Sequence, residues 1–306
     1  MNKRKQLSNN VRKNIPLILM SAPAVILLIM FKYVPMFGTV LAFKNYTYRD
    51  GIWGSAWAGL TNFKYIFSSK EILVTLRNTV CYHLVFDTLI LLCGIMLGIM
   101  LYFIKSKRAA RVYQQLIQIP YLTSFAIMGS IVYIFLRADG GVMNTWLDSM
   151  GMEAISWYTT PKYWPFILCL VNTWFGAGIK SIYFYSALLG IDQSLFEAAD
   201  LDGAKWYHKV FDIMLPSIAP TICIMLIMQM GNMLASTFAL FYSVTMDSSA
   251  LYSVTDVIST YEYRGLQLGN IGTTAALGLF TSVVNVIGTL SVNKIVKKIN
   301  PDYAMM

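Results

Sequence analysis

The chain has 306 residues, of which 57% are apolar and only 13% are charged, and its mean hydropathy is +0.56. A soluble domain carries about 25% charged residues, and here the apolar residues form long runs, so we predict a polytopic membrane protein. The formal charge of +9 comes from basic residues beside these runs. That placement indicates membrane topology and contact with anionic lipid, and it argues against nucleic-acid binding.

The first apolar run covers residues 15–37 and follows a tail with five basic residues and no acidic one. A signal peptide begins in the same way. However, the run ends without the small-x-small pattern of a cleavage site, so we predict that it is retained as the first span. Pro16, Pro23 and Pro35 lie in or beside it and predict kinks.

Five further stretches reach the roughly 20 apolar residues that cross the hydrocarbon core. We therefore predict an all-α fold with a tail at 1–14, a six-span transmembrane domain at 15–293 and a second tail at 294–306. The six predicted spans are 15–37, 79–104, 114–136, 165–189, 218–242 and 272–293.

The basic residues also predict the orientation of the spans. The tail before span one, the loop Lys105 to Arg111 and the tail after span six are all basic, and they fall on one side of a six-span chain. By the positive-inside rule this side is cytoplasmic, so both termini and the loop at about 190–217 lie inside. The outer segment 38–78 has mixed charge, and its Trp53 and Trp57 predict a piece lying at the membrane interface.

Span two carries two ionisable residues, His83 and Asp87, at i and i+4 on one helix face. Such groups in a membrane usually face the bundle interior and pair with each other. We predict a structural pair, with a proton relay as the alternative. The amides predicted to be buried, which we expect mainly to form interhelical hydrogen bonds, are Gln118, Asn172, Gln229, Asn232 and Asn285.

The loop between spans four and five is the most informative segment. It is long enough for two short helices, and it contains Gly203, which can adopt the positive φ that breaks one helix from the next. Pro216 restricts the entry into span five. The alternative interpretation is an ordinary amphipathic loop helix. The segment from Glu197 to Pro220 reads EAADLDGAKWYHKVFDIMLPSIAP.

This loop resembles the EAA loop of the permeases of ABC importers, in which Glu-Ala-Ala is followed by Gly and later by an apolar-x-Leu-Pro sequence. The resemblance implies a coupling helix that sits in a cleft of a cytoplasmic ATPase. The residues that it assigns to ATPase coupling are Glu197, Ala198, Ala199, Asp202, Gly203, Ala204, Leu215 and Pro216, and Phe211, Ile213 and Pro220 also fit the pattern.

Shorter segments resemble sugar-transporting, maltose-type permeases of this family. Gly59-Leu60-Thr61-Asn62-Phe63 is similar to their outer segment, and Tyr261-Glu262-Tyr263-Arg264-Gly265-Leu266 is similar to the branch that imports complex or polysaccharide-derived oligosaccharides. The resemblance implies a bacterial plasma-membrane subunit that forms a heterodimer with a second, different permease. It also implies two copies of the ATPase, which bind ATP and Mg, and an extracellular sugar-binding protein. The short tail after Lys298 favours the role of the first permease.

Sugar sites combine flat aromatic rings with nearby amides. On this ground Asn172, Trp174, Tyr261 and Tyr263 are predicted to line the path of a carbohydrate substrate. The alternative for such aromatic residues is a place in the interfacial belt.

No motif of an enzyme is present in the sequence. It lacks the P-loop pattern G-x-x-x-x-G-K-[ST], the H-E-x-x-H zinc motif and the G-x-S-x-G motif, so we predict no catalytic residue, no metal site and no cofactor in this chain. The four cysteines lie in or beside apolar runs and are predicted to be packing residues. Two functional alternatives remain, an importer of the same fold for a non-sugar solute and an ion-coupled secondary transporter that uses His83 and Asp87.

Overall fold

A computed structural model describes residues 2–234 and 238–301, with side chains from residue 14 onward apart from Ile299. These residues divide into two compact units. One unit holds the residues up to Ser68 together with Gly265–Leu279, and the other holds Ser69–Arg264 together with the residues from Phe280 onward.

The first unit begins with a long apolar helix. Helix α1 (Asn2–Leu28) continues through a π-helical turn, Ile29–Tyr33, into α2 (Val34–Met36) and a 3-10 segment, Phe37–Phe43. The π-turn precedes Pro35, whose ring would clash with the carbonyl four residues earlier in a regular helix, so the wider turn relieves the conflict. Residues 14–43 are long and apolar enough to cross a membrane. The predicted tail 1–14 is helical from Asn2.

A two-stranded antiparallel ribbon follows, and within the described ranges it is the only exception to the predicted all-α fold. Strand β1 (Lys44–Asn45) pairs with β2 (Ala56–Trp57), in the register Lys44 to Trp57. The buried Lys44 ammonium donates to the carbonyls of Ile52, at 2.7 Å, and Trp53, at 3.0 Å. These hydrogen bonds hold the segment between the two strands against β1. Two short helices complete this part of the unit, α3 (Gly51–Gly54) between the strands and α4 (Thr61–Ser68) after them.

The second unit is built on long helices. Most of its helices lie within residues 70–255, while α16 and α17 each contribute residues to both units. In chain order the helices are α5 (Lys70–Phe103), α6 (Lys107–Leu122), α7 (Phe125–Leu136), α8 (Val142–Ser149), α9 (Trp164–Leu189), α10 (Gln193–Leu201), α11 (Trp206–His208), α12 (Leu215–Ser217), α13 (Ala219–Met230), α14 (Phe238–Val244), α15 (Tyr252–Thr255), α16 (Ile258–Gln267) and α17 (Ile271–Ile299), with 3-10 turns at Trp157–Thr159, Pro161–Tyr163 and Ser249–Leu251 and a π-turn at Lys209–Met214.

Helices α5 and α9 form the most extensive helix pair of this unit, and glycines allow their close approach. A Cβ on Gly94 would lie 2.9 Å from the Lys180 Cβ, and one on Gly98 would lie 3.0 Å from the Phe184 Cβ. Small residues at such contacts let membrane helices pack backbone to backbone, where apolar lipid gives no hydrophobic drive for association.

Four single helices are long and apolar enough to span a membrane, and two bent helix pairs raise the number to six if each pair is one span. The prediction of an all-α membrane fold is therefore confirmed. The single helices cover Asn14–Phe43, Lys70–Phe103, Pro161–Leu189 and Ile271–Lys298.

Two predicted spans differ from the structure in shape. The third, 114–136, bends by 90° between α6 and α7. Pro120 lies in the last turn of α6, and the Ser124 hydroxyl accepts from the Ile127 N–H at 3.3 Å, so a new helix begins there. The fifth, 218–242, is not one helix, because α13 ends at Met230 before Gly231 and α14 begins only at Phe238. Its residues 235–237 lie outside the described ranges.

Candidate functional site

The loop predicted at about 190–217 folds as two short helical segments separated by a turn. Helix α10 begins after Asp192, whose Oδ1 accepts from the Ser194 backbone N–H at 3.0 Å. This hydrogen bond lowers the pKa of the Asp192 carboxyl below its usual value. The second segment comprises α11, the π-turn Lys209–Met214 and α12. A short helix with a central proline, Leu215-Pro216-Ser217, follows this π-turn. The helix that contains Pro35 follows the first π-turn in the same way.

Gly203 closes the first helix with a φ of +73°, which is the conformation that its sequence position predicted. The Gly203 N–H donates to the Asp200 carbonyl at 3.1 Å, and the Ala204 N–H donates to the Ala199 carbonyl at 2.9 Å. This is the usual way in which a glycine after a helix satisfies its last carbonyl groups. Nothing lies within 4 Å of a Cβ built on Gly203, so backbone conformation alone demands the glycine.

The loop rests on the helix bundle through a small apolar core. Phe196 of α10 is buried against Phe184 and Leu188 of α9 and against Val210, Met214 and Ile218. Phe196 thus anchors α10 to the end of α9. Glu197, Ala198 and Asp202 point away from this core and are exposed, as are Gly203 and Pro216, while Ala199, Ala204 and Leu215 are half-buried.

Three large apolar side chains of the same loop are also exposed. Leu201 is 89% exposed, Trp206 67% and Phe211 64%. Large exposed apolar side chains on a polar loop are typical of a surface for a partner. Sequence reasoning placed Phe211 in the loop pattern but gave no role to Leu201 or Trp206. An aromatic residue next to a lysine in a polar loop was the signal that could have identified Trp206.

A cavity of about 380 Å³ lies among the helices of the second unit. It combines aromatic rings with amides and ionisable groups. The lining residues are Thr79, Tyr82, His83, Phe86, Asp87, Ile90, Tyr121, Phe125, Asn172, Phe175, Gly176, Ile179, Lys180, Met228, Gln229, Asn232 and Phe241.

Two buried amide side chains line this cavity. Asn172 and Gln229 are 7% and 8% exposed, and Gln229 Oε1 has no hydrogen-bond partner among the residues that the structure describes. A buried acceptor without a partner costs about 1–3 kcal/mol.

The rings of the cavity form packed groups. Tyr82 and Phe86 contact Phe241 with ring centroids 5.0 and 6.0 Å away, and Phe125 stacks on Phe175 at 4.1 Å. The Tyr82 hydroxyl is already engaged, since it donates to the Val254 carbonyl at 2.8 Å. The rings therefore offer flat apolar faces, while the polar contacts must come from the amides and the ionisable groups.

His83 and Asp87 both line this cavity, and His83 Nε2 lies 2.9 Å from Asp87 Oδ2. The two residues are thus paired, as their spacing predicted. Lys180 lies one turn beyond Gly176 on α9 and adds a cation to the same cavity. Sequence reasoning did not assign it, although a lysine inside an apolar span is itself a signal.

Trp174 does not share the cavity with Asn172. It is 50% exposed and lines a separate apolar groove of about 960 Å³ between α5, α6 and α9. Residues two positions apart on a helix point to opposite sides. The structure therefore separates these two predicted substrate-path residues.

The two predicted tyrosines, Tyr261 and Tyr263, lie on α16, outside the lining of the cavity. The Tyr263 ring packs 4.9 Å from Phe238 and 5.3 Å from Tyr242, and Tyr261 is half-buried. The neighbouring Arg264 contacts Asp256 at 2.6 Å and lies 4.0 Å from the ring centroid of Tyr252. Asp256 also accepts from Thr260 at 2.7 Å and from Thr75 of α5 at 3.2 Å, so this loop is tied to the start of α5.

Metal ligands do not cluster in the described part of the chain: no group of three or more His, Cys, Asp or Glu side chains could hold an ion there. The four cysteines are free thiols.

Comparison with known proteins gives a family match and close structural relatives. Residues 94–301 match the family described as binding-protein-dependent transport system inner membrane component. The chain is 32% identical to the protein LplB of Bacillus subtilis (strain 168), over 94% of this chain and 90% of that protein. It is 31% identical to the polygalacturonan/rhamnogalacturonan transport system permease protein YteP of the same organism, over 97% and 92% of the two chains.

Solved structures agree with these sequence matches. A chain of a bacterial alginate ABC transporter, in complex with an alginate pentasaccharide-bound periplasmic protein, superimposes with a TM-score of 0.87. It is 29% identical in sequence, and the match covers 96% of this chain and 98% of that one. A second structure, of an ABC transporter involved in the import of the acidic polysaccharide alginate, matches with a TM-score of 0.85 at 30% identity.

Proposed function

Since the chain belongs to the family of binding-protein-dependent transport system inner membrane components, we propose that it is one permease subunit of an ATP-driven importer of oligosaccharides. The relatives named for their substrates support the carbohydrate class: YteP is a polygalacturonan/rhamnogalacturonan permease, and AraP of Bacillus subtilis, 26% identical over 89% of this chain, is an arabinooligosaccharide permease. The cavity that combines aromatic faces with the amides Asn172 and Gln229 supplies the groups that a sugar needs.

The proposal depends above all on one observation, the exposed loop between two spans that is packed on the end of α9. Its helix α10 presents Glu197 and Ala198 to solvent while Phe196 holds it to the bundle. We propose that this surface docks in a cleft of a cytoplasmic ATPase. The small alanine side chains allow close approach, and the exposed Leu201, Trp206 and Phe211 supply apolar contact area.

The complex that follows from this proposal has five parts. The chain pairs with a second, different permease, stands on two copies of the ATPase and receives sugar from an extracellular binding protein. ATP and Mg bind to the ATPase copies, and this chain itself is a non-enzymatic subunit. Closure of the ATPases on ATP moves the loop and switches the bundle between its inward-facing and outward-facing states. Nucleotide can shift that equilibrium only if the loop surfaces bind the two ATPase states with different free energies.

The orientation is part of the same proposal. In this orientation both termini, Lys107 and the loop at 190–217 lie in the cytoplasm. The residues on the outer side are Trp57, Asp148 and Glu262. Single cysteines at these positions, in a background without the four native cysteines, can be tested with a membrane-impermeant thiol reagent on intact cells. Labelling of the loop from outside would overturn both the orientation and the docking of the ATPase.

Glu197→Lys tests the docking surface directly. This change places a cation where a carboxylate faces the partner, and loss of a charge-assisted contact weakens binding by about 1.5–3 kcal/mol, or roughly ten- to a hundredfold. The matched control is Glu153→Lys, which makes the same change at an exposed acid of a different loop. The measurement is retention of the ATPase by the solubilised permease, together with uptake of oligosaccharide. If both variants retain the ATPase and import at the wild-type rate, the loop is not the coupling element.

One observation favours a second candidate function. His83 and Asp87 pair inside the cavity, as the carriers of a proton relay would. An ion-coupled transporter would stop when the proton gradient is collapsed at constant ATP, whereas the proposed importer would continue. The same assay, run with oligosaccharides and with peptides or phosphate as competitors, separates sugar import from import of a non-sugar solute.

A further inference from the structure

We infer that the cavity recognises a carboxylate on the transported sugar through Lys180, so that the substrates of this permease are acidic, uronate-bearing oligosaccharides. This inference rests on the proposed function, because it concerns which sugars enter the cavity. It names a residue and a chemical class that the docking loop and the aromatic lining do not specify.

The first support for the inference is the isolation of the Lys180 charge. The side chain is half-buried within the membrane-spanning helix α9, yet no carboxylate among the described residues lies within ion-pair distance of it. Its ammonium group has one weak contact, 3.8 Å from the Sδ atom of Met225. An ammonium has three donors, and a thioether is a weak acceptor, so Lys180 keeps donors for a ligand. Charged groups inside membranes usually pair or mark a substrate path.

The second support is that the other ionisable groups of the cavity already have partners. Asp87, the one acid in the lining, is held by His83 at 2.9 Å. Gly94 lies at the level of Lys180, with a Cβ-to-Cβ separation of 2.9 Å if a Cβ is built on the glycine. Asp87 is seven residues earlier on the same helix, which is about 10 Å along its axis. Lys180 therefore remains the surplus cation of the cavity.

The third support comes from groups suited to the neutral part of a sugar. The buried amides Asn172 and Gln229, which are 7% and 8% exposed, both line the same cavity. Asn172 and Lys180 are eight residues apart on α9, or about 12 Å along the axis. An elongated sugar can thus donate hydroxyl groups to the amides while a carboxylate contacts the ammonium. A neutral oligosaccharide would leave the half-buried Lys180 ammonium without a counterion.

The test measures binding to the complete permease–ATPase complex in lipid nanodiscs, without the binding protein, so that the selectivity of the binding protein does not enter. The probes are a galacturonate trimer, an alginate pentasaccharide and the carboxyl-reduced form of each. Uptake of the same sugars by cells that express the complete transporter is measured in parallel. We expect the wild-type complex to bind an acidic probe at least tenfold more tightly than its carboxyl-reduced form.

Variants then assign the preference to Lys180. Lys180→Met keeps the length of the side chain and should weaken binding of the acidic probe about ten- to a hundredfold, with little change for the reduced probe. Lys180→Arg retains the cation and should retain much of the preference. The matched control, Lys162→Met, removes an exposed lysine beside the start of α9 and should change neither affinity.

The outcomes separate the two proposals. If the cells take up none of these sugars and no neutral arabino-oligosaccharide, the proposed function and the inference are both overturned. The inference alone is overturned if the sugars are taken up but the complex binds the acidic and the reduced forms with equal affinity. It is also overturned if Lys180→Met keeps the preference for the acidic form. If Lys180→Met fails to assemble, the wild-type comparison of each acidic sugar with its reduced form still decides the substrate class.

Discussion

Lys209 forms an ion pair with Asp200 across the Gly203 turn, so opposite charges tie together the two helical segments of the loop at 190–217. The lysine side chain is 18% exposed and the aspartate 62%. The pair joins the exit of α10 to the π-turn that enters α12. It therefore holds the angle between the surface proposed to meet the ATPase and the chain that re-enters the bundle.

Reversing this pair tests its role in the loop. Asp200→Lys or Lys209→Asp alone places like charges together, and a pair that is exposed on one side contributes about 0.2–1 kcal/mol. We expect each single change to lower ATPase retention by about two- to fivefold, in line with that energy, and the double exchange to restore it. If the double exchange is no better than the worse single variant, the pair does not set the geometry of the loop.

Gly203 offers a test of backbone conformation free of steric interference, because nothing lies near a Cβ at this position. Gly203→Val forces a β-branched residue into positive φ at a cost of about 1–3 kcal/mol, and Gly203→Pro cannot adopt this φ at all. Both should uncouple ATP hydrolysis from uptake. Asparagine tolerates the left-handed region, so Gly203→Asn should keep most of the activity. Equal activity of the valine and asparagine variants would contradict a requirement for positive φ.

Gln229 is predicted to lower the stability of the empty protein and to favour sugar binding. Gln229→Leu removes a buried acceptor that has no partner in the described structure, so the empty protein should become more stable by about 1–3 kcal/mol. The same variant should import sugar about two- to tenfold less well, since a hydrogen bond to the substrate is lost. Apparent Tm and uptake are measured side by side, with the exposed Gln115→Leu as control. A loss of stability with unchanged uptake would show that Gln229 is structural.

Glu262, on α16, is predicted to make the stability of the protein depend on pH. Burial raises the pKa of its carboxyl from 4.5 to about 7, and its Oε1 has no hydrogen-bond partner in the described ranges. Between these two pKa values the folded state holds a proton that the unfolded state has lost. The free energy of unfolding therefore falls as pH rises from about 4.5 to 7, by on the order of 3 kcal/mol in total.

Glu262→Gln imitates the protonated acid and should remove this dependence. We expect the variant to match the wild-type apparent Tm at pH 5 and to exceed it at pH 8. Glu153→Gln, at an exposed acid, should follow the wild-type curve at both pH values. A wild-type curve that stays parallel to that of Glu262→Gln would show that Glu262 titrates normally.

Much of this architecture follows from hydropathy and local backbone chemistry. The apolar runs predicted the membrane helices, and Gly203 and Pro216 predicted the division of the loop, because these signals are local. The 90° bend after Pro120 was not predicted, since a proline near the end of a run does not say whether the next residues continue straight. The ribbon closed by Lys44 was also missed, because a buried lysine bonded to two carbonyl groups has no signature in composition.

The residues that line the cavity were harder to predict, because the direction in which a helical side chain points depends on how the helices pack. His83 and Asp87 could be paired from their spacing, but Lys180 and Gln229 enter the cavity only through the register of α9 and α13 against α5. Asn172 and Trp174 were grouped by type, although two residues apart on a helix they cannot share a face. Helical spacing already contained that separation.

The interlocked contact of Gly94 and Gly98 with Lys180 and Phe184 has a mechanical consequence. Helices packed this closely cannot slide past each other without a clash between backbones. We therefore expect α5 and α9 to move as one rigid body. The loop at 190–217 packs on the end of this helix pair through Phe196. If an ATPase pushes on this loop as proposed, we expect the wall that carries His83, Asn172 and Lys180 to move as one piece.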